Sequence, residues 1–531
     1  MKKLAILFAG AVLMHSCATT TVISSNIPES DVYIGGKKKG TTPYYHKDML
    51  PMGSFRKVEI KKEGYESYEG KISKFDRANG AAIFAGFVVV APWLWSGTYD
   101  HCYQFDLTEE GASAPTQSNF LEFSEDFTTS KGYHSIYVGE EDNKHVVMND
   151  DNIHYLDDNM NLIETVDMDD DIPGEPIDAY IANGRKHLIS FNYLEESLSL
   201  VTVDANNKMS TNKLQKIQFT DDIVEEDYCY GYSRNRAKNH FICYTTSDMT
   251  RYDEGGNSIG TYKSENGFII EAELLDDDRV ILLEVNNKGE FFVVEFNGEE
   301  SKSFAVKNTE KHNWAFPRLS VNQKDNKVFV STLLKEKDGK EETIKSARIY
   351  SAFLTDMELF SPKSVALTGH VRDKFLINRG VISDDKENVL CLEQQWKIVT
   401  TSTSSSTGST RTSEKMATGQ IVMVNFTDEE PKEKRLNKAI ASSYHRPKLS
   451  GQFFIRNGEI YCVYNSQVNG RTFLTQSVFD TEMNYKTINY RDCYKEDKTL
   501  FHPIRSYLSD DNEILFLMQY KTKLGIAKSS F

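Results

Sequence analysis

The chain has 531 residues, 39% hydrophobic, 11% aromatic and 26% charged, an ordinary balance with ample length to bury a core. Its formal charge of −16 is lopsided: residues 18–116 carry 11 basic and 12 acidic side chains, whereas residues 117–531 carry 49 and 66. An acidic surface of this kind argues against nucleic acid and anionic lipid as main partners.

The N-terminus divides cleanly. Lys2 and Lys3 precede an uncharged apolar run at 4–13, and Met14-His15-Ser16-Cys17 follows. A basic start, an apolar run within ~7–15 residues and a small residue at the cut describe a secretory signal at 1–16. A spanning helix needs ~20 apolar residues, so this run is too short to be one. Ser16-Cys17 resembles the lipobox of bacterial lipoproteins, where a small residue precedes the cysteine that receives diacylglycerol. The resemblance implies that Cys17 is lipidated, becomes the first residue and serves as the membrane tether. Acyl chains contribute about 0.8 kcal/mol per buried CH₂, and more than one chain makes anchoring stable. Ala18-Thr19-Thr20 contain neither an Asp, linked in that family to inner-membrane retention, nor an acidic export cluster. The resemblance therefore points to the cell envelope, at the periplasmic face of the outer membrane. The competing reading is an ordinary signal peptide with a cysteine near its end by chance.

Residues 17–107 read as a small β domain. Residues 31–34 (DVYI) form a short strand, and 35–40 (GGKKKG) turn it. Thr41-Thr42-Pro43 leads away extended, as proline requires of its predecessor. Residues 55–61 alternate as a strand ending at the turn Glu63-Gly64-Tyr65, and 68–72 make a further strand. With Pro28-Glu29 ahead of them, these elements resemble the PEGA domain, a small all-β module of bacterial envelope proteins. The Gly-Ala half of that family's motif is replaced here by Ser30-Asp31. The resemblance covers roughly fifty residues and implies a structural or adhesive module with no catalytic residues to carry over.

Residues 81–95 (AAIFAGFVVVAPWLW) carry no charge yet fall short of a bilayer span and contain Pro92. Three readings compete: an apolar segment buried against the β module, an insertion into the membrane beside Cys17, or a protein contact. Phe84, Phe87, Val88, Val89, Trp93 and Trp95 are the candidate membrane or partner contacts, with the tryptophans suited to an interface. Residues 99–107 (YDHCYQFDL) alternate as a returning strand, and 108–118 (TEEGASAPTQS) form a linker.

Residues 119–531 show no long helical period. An apolar strand, a tight polar turn and a strongly apolar strand recur eight times, at 136–148, 179–191, 229–244, 272–285, 317–331, 377–392, 451–464 and 505–520. Four-strand units at ~40–50 residues are the signature of a β-propeller. The longest step holds a polar tract at 400–412 (TTSTSSSTGSTRT), read as a flexible loop extending a hairpin. The last unit has only about three strands, at its end 524–530, while 119–127 (NFLEFSEDF) has no partner near it. The first strand is therefore expected to close the last blade, which removes a free edge. The expected fold is all-β, a PEGA-like module followed by a propeller of eight blades, with seven the near alternative. Two stacked β-sandwiches are the competing architecture.

No catalytic or metal-binding motif stands out, and no cofactor is expected. The GxSxG, HExxH and P-loop patterns are absent, as are CxxC and Cys/His metal spacings. Cys243, Cys391 and Cys462 lie in apolar runs where cysteine acts as a buried hydrophobe. With Cys102, Cys229 and Cys493 they make six cysteines beyond Cys17; no disulfide framework is expected among them, and Cys229–Cys243 is the only local pair to test. His145, His187 and His240 take the same place in three repeats, and equivalent places lie on different blades, so packing or turn capping is expected of them. The acidic runs at 167–171 and 276–278 could hold Ca²⁺, but both sit at turns where solvated acids are the default. The sequence is therefore read as a non-enzymatic envelope scaffold, tethered through Cys17, whose partner is an envelope protein or a glycan. The rival class is a glycan-acting hydrolase or lyase with its site in the propeller channel. A third reading makes 81–95 the docking element of a membrane complex.

Overall fold

The computed structural model describes residues 19–78, 97–107 and 122–529, apart from short stretches within those ranges. Among the described residues every regular element is a β-strand. Cys17, the signal at 1–16, the segment 81–95 with its six candidate contacts, and the linker 108–118 lie outside the described residues.

The N-terminal module is two small sheets packed face to face. One has the order Lys37–Thr41, Asp31–Ile34, Phe55–Lys61, Tyr68–Ser73. Gly35 and Gly36, at φ of 59° and 77°, make the two-residue hairpin turn, whose left-handed backbone glycine adopts without steric cost. The turn expected over 35–40 is thus confined to its two glycines, and the lysines after it continue as a strand. The second sheet centres on Thr19–Ser25, antiparallel to Tyr44–Asp48 and parallel to Cys102–Phe105. The strand expected within 99–107 therefore does return, beside the first strand of the chain. Ile23, Val32, Ile34, Val58, Ile60, Ile72, Tyr99, Phe105 and Leu107 form the single core between the two sheets. Alternation in Phe55–Lys61, where Val58 and Ile60 are buried and Lys57 and Lys61 exposed, is what packing on one face requires.

Among the described residues the rest of the chain forms a ring of eight sheets in chain order. Seven are built on meanders of four consecutive strands, at 136–167, 175–216, 230–263, 268–306, 314–366, 376–436 and 452–491, with Ala441–Ser443 added to the sixth against Thr410–Asn425. The eighth holds Leu500–Leu508, Ile514–Tyr520 and Lys523–Ser529, and its edge is completed by Glu122–Phe123 and Phe127–Thr128, both antiparallel to Lys523–Ser529. The expected closure by the first strand is what the pairing shows. Leu500–Leu508 also lies against Ile136–Glu141, so the last sheet meets the first.

Each sheet is buried on both faces, which explains the continuous apolar runs. In Val280–Val285 (VILLEV), Leu282 packs toward Ile242 and Tyr244 of the third sheet, whereas Ile281 and Leu283 pack toward Val328 and Val330 of the fifth. In the sixth sheet, Leu390 and Leu392 face the fifth, and Val389 and Cys391 face the seventh with Cys462. Successive side chains point to opposite faces, so a strand between two neighbours is apolar nearly throughout, and the one buried charge in VILLEV, Glu284, is satisfied by Tyr262 and Asn266. This two-sided burial overturns the stacked-sandwich alternative, in which a sheet has one inner face. Close approach fixes the entry to inner strands: a Cβ on Gly267, at φ +155°, would come within 2.2 Å of the Val285 carbonyl oxygen.

One expectation is corrected. Within the polar tract at 400–412, residues 400–403 and 410–412 are strand, since Asn388–Thr403 and Thr410–Asn425 pair out to Thr403 opposite Thr410 with one register shift between Glu393 and Gln395; 404–409 lie outside the described residues. The β-branched threonines suit a ladder as well as a loop, and a hairpin nucleated by the buried pairs at 389–393 extends into them. Module and ring meet at the sixth and seventh sheets. Gln420 donates from Nε2 to the Ser25 carbonyl at 3.1 Å, with both residues buried, and Cys102–Phe105 lies alongside Glu459–Val468.

Candidate functional site

Two places concentrate polar chemistry, the inner strands of the ring and one end of the module. On the inner strands the charged groups find partners across neighbouring sheets. Asp178 of the second sheet accepts from Arg234 Nε of the third at 3.0 Å, and the Arg234 guanidinium lies 4.9 Å from the Tyr180 ring centre. Glu271 of the fourth sheet accepts the Leu319 amide at 2.8 Å and pairs with Arg318 of the fifth at 3.5 Å, while Arg318 Nε reaches the Asn378 carbonyl of the sixth. Burial pushes the Glu271 carboxyl up and Arg318 opposes it. Arg379 clamps Glu393, which is buried, through two nitrogens at 3.0 and 2.8 Å. Buried charges persist where partners satisfy them; the Asp178 and Glu271 sets tie one sheet to the next, and Arg379–Glu393 ties two strands of the sixth.

The three histidines in equivalent repeat positions stay on separate sheets. His145 Nδ1 lies 3.0 Å from the Tyr137 hydroxyl, His187 stacks on Tyr180 with ring centres 5.0 Å apart, and His240 Nδ1 meets Asp278 Oδ1 at 2.7 Å. Each braces an inner strand or the next sheet's turn, the packing role expected of it. His154, also buried, is held down to about 4 by burial. The acidic runs are likewise engaged: Asp169 accepts the Met209 amide, Asp277 pairs with Arg279, and Asp278 takes His240 and Asn235. Among the described residues no group of three or more His, Cys, Asp or Glu side chains could hold a metal ion. Cys243, Cys391 and Cys462 are buried free thiols, and burial raises Cys243 and Cys391 well above the usual thiol range. Cys229, the proposed mate of Cys243, lies outside the described residues.

The module's end holds a hub that sequence reasoning missed. Asp48 Oδ1 binds Lys74 Nζ at 2.8 Å, and its Oδ2 accepts from the Tyr99 hydroxyl at 2.7 Å and lies 3.2 Å from His46 Nε2. The Lys74 side chain has no exposed surface; its ammonium also donates to the Leu50 carbonyl at 2.7 Å and sits 5.2 Å from the Tyr99 ring centre. Burial opposes ionisation of Asp48, but hydrogen bonds from His46, Lys74, Tyr99 and the Leu50 amide hold it well below the usual carboxylate range. Burial and the Asp48 charge push Tyr99 up. Nothing local marks these residues, because the partners come from three separate stretches of chain. At the module's other end, Asp31, Lys61, Lys62, Glu63, Tyr65 and Ser67 line a 340 Å³ recess of mixed charge.

Comparison with known proteins agrees with this architecture. The PEGA domain matches residues 18–79. No curated protein matches the chain. Among solved structures, the Nup133 β-propeller domain of Vanderwaltozyma polyspora is similar at 10% identity and a TM-score of 0.35, covering 78% of this chain and 100% of that one. The β-propeller domain of the Trilobed protease from Pyrococcus furiosus is similar at 11% identity and a TM-score of 0.34, covering 67% and 93%. A quinoprotein alcohol dehydrogenase-like protein from Bacteroides thetaiotaomicron is similar at 11% identity and a TM-score of 0.29, covering 90% and 89%. The chain carries a PEGA domain at residues 18–79, followed by a fold of the β-propeller type.

Proposed function

We propose that this protein is a non-enzymatic lipoprotein of the cell envelope, tethered through lipid on Cys17, whose ring is a rigid platform binding an envelope protein or a glycan. We read that ring as an eight-bladed propeller, a reading supported by its eight sheets and by the strand pairs at 122–128 that complete the last. The observation carrying the platform reading is the engagement of the inner-strand charges with one another: Asp178 with Arg234, Glu271 with Arg318, Glu393 with Arg379. A general acid or base needs a proton it can exchange with substrate, and carboxylates locked to arginines are poorly placed for that. Propellers also occur in enzymes, so the fold by itself does not assign a role.

The lipobox-like Ser16-Cys17 supports the tether, and Ala18-Thr19-Thr20 support the periplasmic face of the outer membrane. Extraction from membranes in mild detergent, followed by mass spectrometry, tests both parts. The expected result is a mature chain beginning at an acylated Cys17, with a partner protein or glycan co-purifying. Release of sugar from envelope glycans by the purified chain would overturn the platform reading in favour of a hydrolase or lyase. An unmodified Cys17 would overturn the tether.

A further inference from the structure

The module is polarised. Thr19, two residues after Cys17, pairs with Asp48, so the chain enters at the end where the hub lies. Parallel register of Cys102–Phe105 with the first strand places Tyr99, which also bonds Asp48, at that same end. Arg77–Ala78 pairs with Gly97–Thr98 just beyond Lys74 and before Tyr99 in the chain, at that same end. Phe55, paired with Ser73, starts its strand at this end too. The opposite end carries Ser25 and Phe105 and is the one fastened to the ring by Gln420. Thr19–Ser25 spans seven residues, so the two ends stand about 20 Å apart at roughly 3.3 Å per residue.

The entry end presents apolar surface that the fold does not use. Phe55 is 67% exposed, more than any other large hydrophobic side chain among the described residues. Pro51 is exposed beside it, in the loop 49–54 (MLPMGS). Residues on either side of Pro51 are anchored: Lys74 Nζ grips the Leu50 carbonyl, the Leu50 amide donates to Asp48, and the Lys74 amide donates to the Ser54 carbonyl. Arg56, next to Phe55 in the chain, has a side chain 43% exposed and lies 3.8 Å from Asp48. The strong negative charge of the chain belongs to residues 117–531, at and beyond the far end.

We propose that this end is a bilayer-contacting tip, seating Phe55 and Pro51 at the headgroup–acyl boundary of the membrane that holds the lipid of Cys17. The occupant follows from where the chain enters: a lipid on Cys17 lies within a few residues of Thr19 and brings this end, not the other, to the bilayer. An exposed aromatic at the start of a strand, with an exposed proline and a half-exposed arginine close to it in the chain, suits that boundary, while the acidic ring stands off it. The inference rests on the tether proposed above.

The test uses the full-length protein, extracted from membranes and reconstituted into phosphatidylcholine vesicles. Phe55→Cys and Pro51→Cys are each labelled with bimane, an apolar reporter, with Phe353→Cys on the ring, where Phe353 is 59% exposed, as the reference. Unsubstituted protein labelled in parallel subtracts the native thiols. Doxyl-labelled lipid is expected to quench both tip positions several-fold more than position 353. Protein that floats with the vesicles but shows equal quenching at 51, 55 and 353 overturns the tip and leaves the tether standing. Protein that does not float overturns the tether, and the tip with it.

Discussion

Module and ring are both built of strands around apolar cores, and they treat charge in opposite ways. The module has one core between two sheets, and it closes one end with a buried ion pair, Asp48–Lys74, held by Tyr99 and His46. The ring has a succession of apolar seams, such as the one joining Ile281 and Leu283 to Val328 and Val330, and spreads its ion pairs over many sheets, some between sheets, as Asp178–Arg234 and Glu271–Arg318, and some within one, as Arg379–Glu393. Repetition accounts for the difference. A sheet in the ring gains two apolar neighbours, and the few charges buried within its strands, such as Glu284 and Glu393, are each satisfied locally. The module has a single interface, so one polar hub decides how one whole end is organised.

The largest expected effect separates the two regions. Lys74→Met takes from the half-buried Asp48 its one fully buried cation and leaves it Arg56 at 3.8 Å, which costs about 3 kcal/mol, the low end for breaking a buried pair. Hydrogen exchange across 19–25 and 55–61 is expected to speed up in urea while the amides of 280–285 keep their protection. Equal loss in both regions would show that module and ring unfold as one unit.

Acid should sharpen the contrast. His154 is folded in its neutral form, with a value lowered to about 4 against an ordinary 6.5. Its contribution is therefore complete above pH 6.5 and is lost as pH falls toward 4, on the order of 2–3 kcal/mol for a shift of this size. Asp48 behaves differently, because its carboxyl is held below the usual range; its contribution is complete above the ordinary carboxylate value near 4 and declines only below it. Urea midpoints read on the first sheet should drop between pH 7 and 5 in the unsubstituted protein and stay flatter in His154→Phe. Over the same interval the part of the module's stability that Asp48 supplies should hold.

The smallest effect lies at the junction. Gln420→Ala removes the hydrogen bond to the Ser25 carbonyl, worth about 1 kcal/mol. Cleavage within 108–118 by a protease is expected to rise modestly, with the urea midpoints of the two regions unchanged. An unchanged cleavage rate would mean that the flanking contacts alone hold the junction.

How much was legible follows from how local each signal is. Runs such as VILLEV and the polar turns before them exposed the repeat, because two-sided burial stamps every residue of a strand. The unpaired strand at 119–127 and the short last unit betrayed the closure for the same reason, since an incomplete sheet is visible by counting. The polar tract at 400–412 misled because threonine serves a ladder and a loop equally well, and only the register of the buried base drew it into strand. Lys74 looked like any surface lysine in KISKFDR, and Asp48 like any loop acid.

The sequence by itself determined the all-β architecture, the division into a small module and a repeating ring, and the burial of Cys243, Cys391 and Cys462, because periodicity and composition record burial residue by residue. Tertiary structure alone decided which charges meet, which end of the module the chain enters, and which sheets receive it through Gln420 and Ser25. Those outcomes depend on partners far apart in the chain. A side chain carries its polarity in its identity, whereas its partner is set only when strands are brought into register.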